Sequence, residues 1–325
     1  MPDALITRPL LRRAQAVGVC AVITAVVAGC GSGDPGPDGA SSSSAAAGCT
    51  TESTVGASGA SLLPVPPATV EVLDAGAAPR LAPVGAPSTA SAQQVRLVTT
   101  SSSTSLSQGQ APSDDAQTVD LPITAQVLCG DPTDIELTLG AASSPSPDLS
   151  RSLAAVRGSR AGLAVAAGSV PIALRIVPAA AADDTARSAI EQTLVQALQR
   201  SVTLPRDPIG VGARWRSVRT ITGAATVRQT ITSTLRARTG STLQIDVTVD
   251  EEPVNAVFTI PGSDQTLTIA SYTMAGSGSM TLDLTRGLPI SGELTIDGGR
   301  SLVGSDPARP LVQKTGVDIR WETTR

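Results

Sequence analysis

The chain has 325 residues, with 24 Lys and Arg against 28 Asp and Glu, a net charge of −4 and no histidine. Without histidine there is no Ser-His-Asp triad, no histidine metal ligand and no histidine pH switch, and the mildly acidic balance offers no basic footprint for nucleic acid. Only two Trp, one Tyr and one Phe are present, so the expected core is aliphatic; a chain of this size can still bury roughly 75% of its unfolded surface.

The N-terminus reads as an export address. Arg8, Arg12 and Arg13 form a positive region, and Ala14 to Ala28 is an uncharged, largely apolar run. That run fits a signal sequence and is short of the roughly 20 residues a spanning helix needs. It closes on Val27-Ala28-Gly29-Cys30: an aliphatic residue, a small residue, Gly, then Cys. This stretch resembles the lipobox of bacterial lipoproteins at every position. The resemblance implies cleavage before Cys30, a diacylglyceryl group on Cys30, and a protein held at the cell membrane on its extracytoplasmic side. Acyl chains contribute about 0.8 kcal/mol per buried CH2, so two or three of them anchor firmly. The competing reading is a plain secretory signal with an accidental cysteine. Arg12-Arg13 also raises twin-arginine export, which Leu11 and Ala14-Gln15 do not support.

Residues 1–29 are thus expected to be a signal peptide, residues 30–75 a lipidated tether and residues 76–325 a β-rich domain. Gly31 to about Pro67 is rich in Ser, Ala, Gly and Pro, a composition that cannot bury enough apolar surface to fold. A short strand is expected at Thr69–Leu73. With Cys20 in the signal and Cys30 at the lipid site, Cys49 and Cys129 are the one intramolecular pair available outside the cytoplasm. They are either bonded, pinning the tether midway, or two unpaired thiols.

From Gln94 the pattern turns to period two. Val95, Leu97 and Thr99 alternate with polar residues; Val119, Leu121, Ile123, Ala125 and Val127 follow, then Ile135, Leu137 and Leu139. These are the alternations of half-buried strands. Pro122 suggests an edge or a bulge in the second of them. Leu163 to Val177 supplies one or two strands, with Gly168-Ser169 as the break. Asp183-Asp184 then offers a helix cap, and Thr185 to Ser201 carries Ile190, Leu194, Ala197 and Leu198 on one face. The acidic pair reads as capping, favoured by the helix dipole, rather than as a metal site.

Pro205 ends the helix. Gly210-x-Gly212 lacks the third glycine of a dinucleotide fingerprint and precedes a strand pattern, so it reads as a tight turn that launches a strand and buries Trp215. A meander follows: Val227, Ile231 and Leu235 on one face, a turn at Thr239-Gly240-Ser241, then Leu243, Ile245, Val247 and Val249. Asp250-Glu251-Glu252-Pro253 is expected to close that hairpin as a solvated tip. Gly276-Ser277-Gly278-Ser279 is expected to be a bulge or flexible crossing within a long strand. The fold class is therefore mainly β: a long, strongly twisted antiparallel sheet, half-barrel or barrel-like, with one packed helix at about 184–201.

Two stretches carry a resemblance for the mature domain. Pro205-x-x-Pro208-Ile209-Gly210-Val211-Gly212-Ala213-Arg214-Trp215 and Gly276-x-Gly278…Leu282-Asp283-Leu284-Thr285-Arg286-Gly287-Leu288-Pro289 resemble an uncharacterised family of actinobacterial secreted and lipid-anchored proteins. The resemblance implies no activity. In architecture alone, long antiparallel strands on a helix behind a lipobox are similar to mycobacterial lipid-carrier lipoproteins, and fold-level likeness is a weak warrant for function.

Three functions follow as expectations. The first is a carrier, its aliphatic cup holding a hydrophobic small molecule. The second is a structural or protein-interaction module of the cell envelope without a small ligand. The third, an enzyme, has the least support. The densest carboxylates, Asp250 to Glu252, alternate faces on a strand and make no ready acid–base pair; a Gly-x-Ser-x-Gly elbow, a phosphate loop and a calcium loop are all missing. No catalytic, cofactor or metal-binding residue is assigned, and Trp215 and Trp321 read as core anchors. An apolar void would favour the carrier; a filled core would favour the interaction module.

Overall fold

A computed structural model describes residues 48–107, 109–166 and 170–324, all within one compact unit, Ser44–Arg325. The expected signal peptide, the lipobox with Cys30 and the first part of the expected tether lie outside the described residues, as does the Gly168-Ser169 break. Three short strands come first: β1 (Cys49–Thr50), β2 (Ser61–Pro64) and β3 (Thr69–Asp74). Longer ones follow: β4 (Gln93–Leu106), β5 (Ser113–Leu128) and β6 (Asp131–Leu139). Helix α1 (Pro147–Leu153) with a 3-10 turn at Ala154–Val156 precedes β7 (Arg160–Ala166), β8 (Val170–Val177) and helix α2 (Asp184–Gln199). The meander is β9 (Arg214–Ile221), β10 (Ala225–Thr239), β11 (Thr242–Thr259), β12 (Thr266–Asp283), β13 (Ser291–Val303) and β14 (Leu311–Thr323).

The fourteen strands form one open sheet in the order β2-β8-β7-β6-β5-β4-β14-β13-β12-β11-β10-β9-β3, with β1 added beside β5. All pairings are antiparallel except β1 with β5. The two extreme edges, β2 and β3, are consecutive in the chain and joined only by residues 65–68. Five Cα–Cα steps span at most roughly 18 Å, so the sheet curls until its edges nearly meet. The mainly β, barrel-like expectation therefore matches the architecture, although the sheet is not closed.

The expected alternations fill the inner face. Val119, Leu121, Ile123, Ala125 and Val127 are buried, as are Leu243, Ile245, Val247 and Val249. Helix α2 joins the same core through Ile190, Leu194, Ala197 and Leu198. It starts as read: the Asp183 carboxylate accepts a hydrogen bond from Ala186 N at 2.7 Å, with Ser152 adding another, and these bonds hold its pKa below the usual 3.8. Trp215 is fully buried and donates from Nε1 to Thr203 O at 2.8 Å, while Trp321 is 5% exposed; both are core anchors.

Several local expectations give way. The described part of the expected 30–75 tether, from Gly48 on, contributes three strands to the sheet. Cys49 and Cys129 are disulfide-bonded, Thr54 is fully buried, β2 pairs with β8, and β3 pairs with β9. Thr54 donates to Glu136 from N and Oγ1 at 2.8 and 3.0 Å, and Arg175 donates to Thr54 Oγ1 and Asp134. Strand β3 (Thr69–Asp74) matches the short strand expected at Thr69–Leu73, whereas β1 and β2, at two and four residues, are too short to show a period. Pro122 lies neither at an edge nor at a bulge. It sits in a central strand where β6 ends, and its carbonyl accepts from Gly140 N at 2.8 Å, so its missing N–H faces the end of β6 and breaks no ladder. The 276–279 run is neither bulge nor crossing: Gly276 pairs with Val249 and Ile296, and the register holds through Thr281. A Cβ at Gly276 or Gly278 would come within 2.1 or 2.0 Å of the Thr295 or Glu293 carbonyl oxygen, so glycine permits close strand approach there. Helix α1 was unanticipated, although Ser146 caps it and Pro147 opens it.

Candidate functional site

The Asp250–Glu252 run is not a hairpin tip. It lies inside β11, which continues to Thr259, and period two turns Glu251 inward, where it is 8% exposed. Gln229 Nε2 and Tyr272 Oη donate to its carboxylate at 2.9 and 3.1 Å, and Arg200, at the end of α2, stands 3.7 Å away. Arg219 from β9 donates to Leu198 O, Ser201 O and Thr203 Oγ1, closing the carbonyl end of α2, where cations are favoured. Burial, then the neighbouring Arg200, pushes the Arg219 pKa down to about 10; burial, then Glu251, pushes the Tyr272 hydroxyl up. Arg200 Nε, Arg219 Nε and Gln229 Oε1 are buried there without a hydrogen-bond partner among the described residues, and the remaining bonds dock the helix into the sheet. Among the described residues no group of three or more Cys, Asp and Glu could hold a metal ion.

The concave space that does resemble a ligand site lies where β12 hands over to β13. The strap Leu284–Ile290 crosses one end of the curled sheet. Its anchors are specific: Ala86 N donates to Leu284 O at 2.7 Å and Ser88 N to Thr285 O at 2.9 Å. The buried Gln93 amide holds Leu288 from both sides, accepting from its N at 3.0 Å and donating to its O at 2.8 Å. Asp283 accepts from Thr285 N and Oγ1 at 2.9 and 2.8 Å; burial raises its pKa, but these bonds outweigh it and the net shift is downward.

Beneath the strap is a pocket of about 60 Å³, walled by Leu163, Ala197, Leu204, Leu284, Leu288 and Trp321. Outside the strap is a cleft of about 250 Å³ between Val84, Pro87, Pro132, Ile135, Val165 and Arg286. Val165, Arg286 and Gly287 border both, so the strap is the partition. Gly287 lies directly on Ile135, where a Cβ would meet Cδ1 at 2.6 Å. Leu204 also borders a groove of about 410 Å³ along the seam, with Val70, Val72 and Val170. A groove of about 500 Å³ on the outer face, lined by Thr232, Thr234, Arg236, Asp246 and Ser277, is polar and crossed by the Arg236–Asp246 pair.

Helix α2 thus fills most of the cup the sequence led us to expect, and the enclosed remainder has room for a few water molecules. Joined across the strap, pocket and cleft reach the lower bound of small-molecule sites, roughly 300 Å³. Of the residues singled out in the sequence, Trp321 lines the pocket; Cys49 and Cys129 are bonded, and Gly48, beside Cys49, borders a third small space with Ser91, Gln93 and Arg286. Sequence reading missed Gln93, Val165, Leu204 and Arg286. Leu284 to Pro289 did stand out as a motif, but nothing in it announced a strap. No protein-family model matches the chain, and no curated protein matches it.

Proposed function

We propose that the protein is an extracytoplasmic lipoprotein, anchored through Cys30, that binds a hydrophobic chain in the cleft and pocket on either side of the Leu284–Ile290 strap. The observation that carries this reading is the apolar pocket and apolar cleft separated by a single partition, Arg286-Gly287. Such spaces, mostly apolar with a few polar groups, are the usual form of ligand sites. The placement of the chain adds support. Cys49, fixed by its disulfide, lies next to Gly48, which borders the strap. It is 19 positions from Cys30, a separation of at most roughly 65 Å. A lipid on Cys30 would keep the domain within that reach of a membrane, where hydrophobic chains are abundant.

Native mass spectrometry of the full-length protein, extracted in mild detergent, tests this reading. One bound amphiphile per chain is expected, and Val165→Trp, which fills the partition, should remove it while leaving the melting temperature within a few degrees. A chain that carries no ligand and takes up no added fatty acid would overturn the proposal. That outcome would favour the second reading, an interaction module, which draws on the filling of the cup by α2 and on the polar outer groove.

A further inference from the structure

We infer that the ligand of this cleft is a single-chain amphiphile with an anionic head, its head at Arg286 and its chain running under the strap toward Leu204. The inference rests on the proposed function and names the chemical class for that same site.

Charge carries the first half. Among the described residues, Arg286 is the sole ionisable one lining the outer cleft. The inner pocket adds only Asp283, whose carboxylate is bonded by Thr285 and feels the Arg286 charge without a direct ion pair to it. Nη1 of Arg286 donates to Ser91 Oγ at 2.9 Å and Ser91 O at 3.2 Å. A guanidinium carries five N–H donors in a planar fork, so two acceptors on one nitrogen leave most of the fork for a carboxylate or phosphate. Such pairs are the strong, orienting kind of hydrogen bond. In an otherwise apolar cleft, one cation fixes which end of a ligand stays outside.

Shape carries the second half. A chain whose head sits at Arg286 meets Gly287 and Val165 next, because these border both the cleft and the pocket. Beyond them lie Leu163, Leu288 and Trp321, then Leu204. Leu204 also borders the seam groove, where Arg206 and Asp207 stand beside Val70 and Val72, so the chain ends at Leu204. The pocket measures about 60 Å³, room for a few water molecules at rest, so a chain enters only by moving the strap and a pair of chains is refused. The strap is tied at Leu284 and Thr285 by Ala86 and Ser88, at Arg286 by Ser91 and at Leu288 by Gln93, so Gly287, between the last two ties, is the point that yields on entry.

Photoaffinity labelling of the full-length protein tests this, using alkyl diazirines of one chain length with four heads: carboxylate, phosphate, alcohol and trimethylammonium. The carboxylate or phosphate probe should label the segments containing Leu163, Leu204 or Trp321 at least tenfold more strongly than the alcohol, and the ammonium should not label them. Carboxylate above phosphate would identify a free fatty acid as the source; the reverse would identify a lysophospholipid head. Arg286→Gln should bring acid and alcohol to equal labelling, and Arg286→Lys should keep the anion preference. Equal labelling by acid and alcohol in the unmodified protein would overturn the anionic head while leaving chain binding intact. Failure of every probe would remove both proposals.

Discussion

Glu251 shows how a single side chain can join two parts of the fold. Its carboxylate meets Arg200 from α2 and Gln229 and Tyr272 from neighbouring strands. Removing one partner of a buried ion pair leaves the other charge uncompensated, at a cost of about 3–5 kcal/mol. Glu251→Ala should therefore lower unfolding free energy by about that much in urea titrations; a change within experimental error would mean that Arg200 finds solvent. Trp215→Ala should cost about 3–5 kcal/mol as well, because the ring is fully buried and its Nε1 is bonded to Thr203 O. An unchanged melting temperature would contradict that placement. Trp215 was legible, since a lone aromatic after a Gly turn in an alternating strand has few other places to go. Glu251 was not. Three acidic residues before Pro253 look like a turn, and the arginine that makes burial tolerable lies 51 positions earlier, on another element.

At the scale of elements, legibility followed periodicity. Strands β5, β10 and β11 and helix α2 repeat their apolar residues often enough to be read, and the Asp183 cap marks the start of α2. Strand β3 was legible from its alternation, but the segment of β1 and β2 is held instead by a disulfide, by Thr54 hydroxyl and backbone bonds and by edge pairing, none of which leaves a pattern in composition. The disulfide closes a sequence separation of 80, worth about 4 kcal/mol in the chain-entropy account. Cys49→Ser combined with Cys129→Ser should lower stability by up to about that amount and raise amide exchange across residues 49–60. Exchange unchanged in that stretch would show that β1 and Thr54 hold it without the bond. Gly276→Ala should destabilise by about 1–3 kcal/mol through overpacking, because its Cβ would strike the Thr295 carbonyl. A neutral effect, read by thermal melting, would mean that β12 and β13 separate freely.

For the molecule as a whole, the same aliphatic alternation that builds the curled sheet leaves the ends of the sheet to decide function. Fold class was readable because the inner face repeats over many strands. The site was not, because it is assembled from single residues of β7, the turn after α2, β14 and a strap, with nothing repeated. The absence of histidine also has a global consequence. The carboxylates with shifted pKa values, Asp131, Asp183 and Asp283, are lowered from 3.8 in the fold. Their contribution is complete above that value and is lost as pH falls through the lower folded values. The melting temperature should stay level from about pH 5 to about pH 8, the range in which histidine would titrate, and fall only below about pH 4.

Chain binding beneath the strap is the central claim, and the two tryptophans make it directly measurable. Trp321 lines the pocket, whereas Trp215 is buried in the core and does not. In the full-length protein carrying Trp215→Phe, titration with a fatty acid brominated near its tail should quench Trp321 fluorescence saturably, with one site per chain, and unbrominated fatty acid should reverse it. Quenching that rises linearly without saturation, or that fails to appear, would contradict the account.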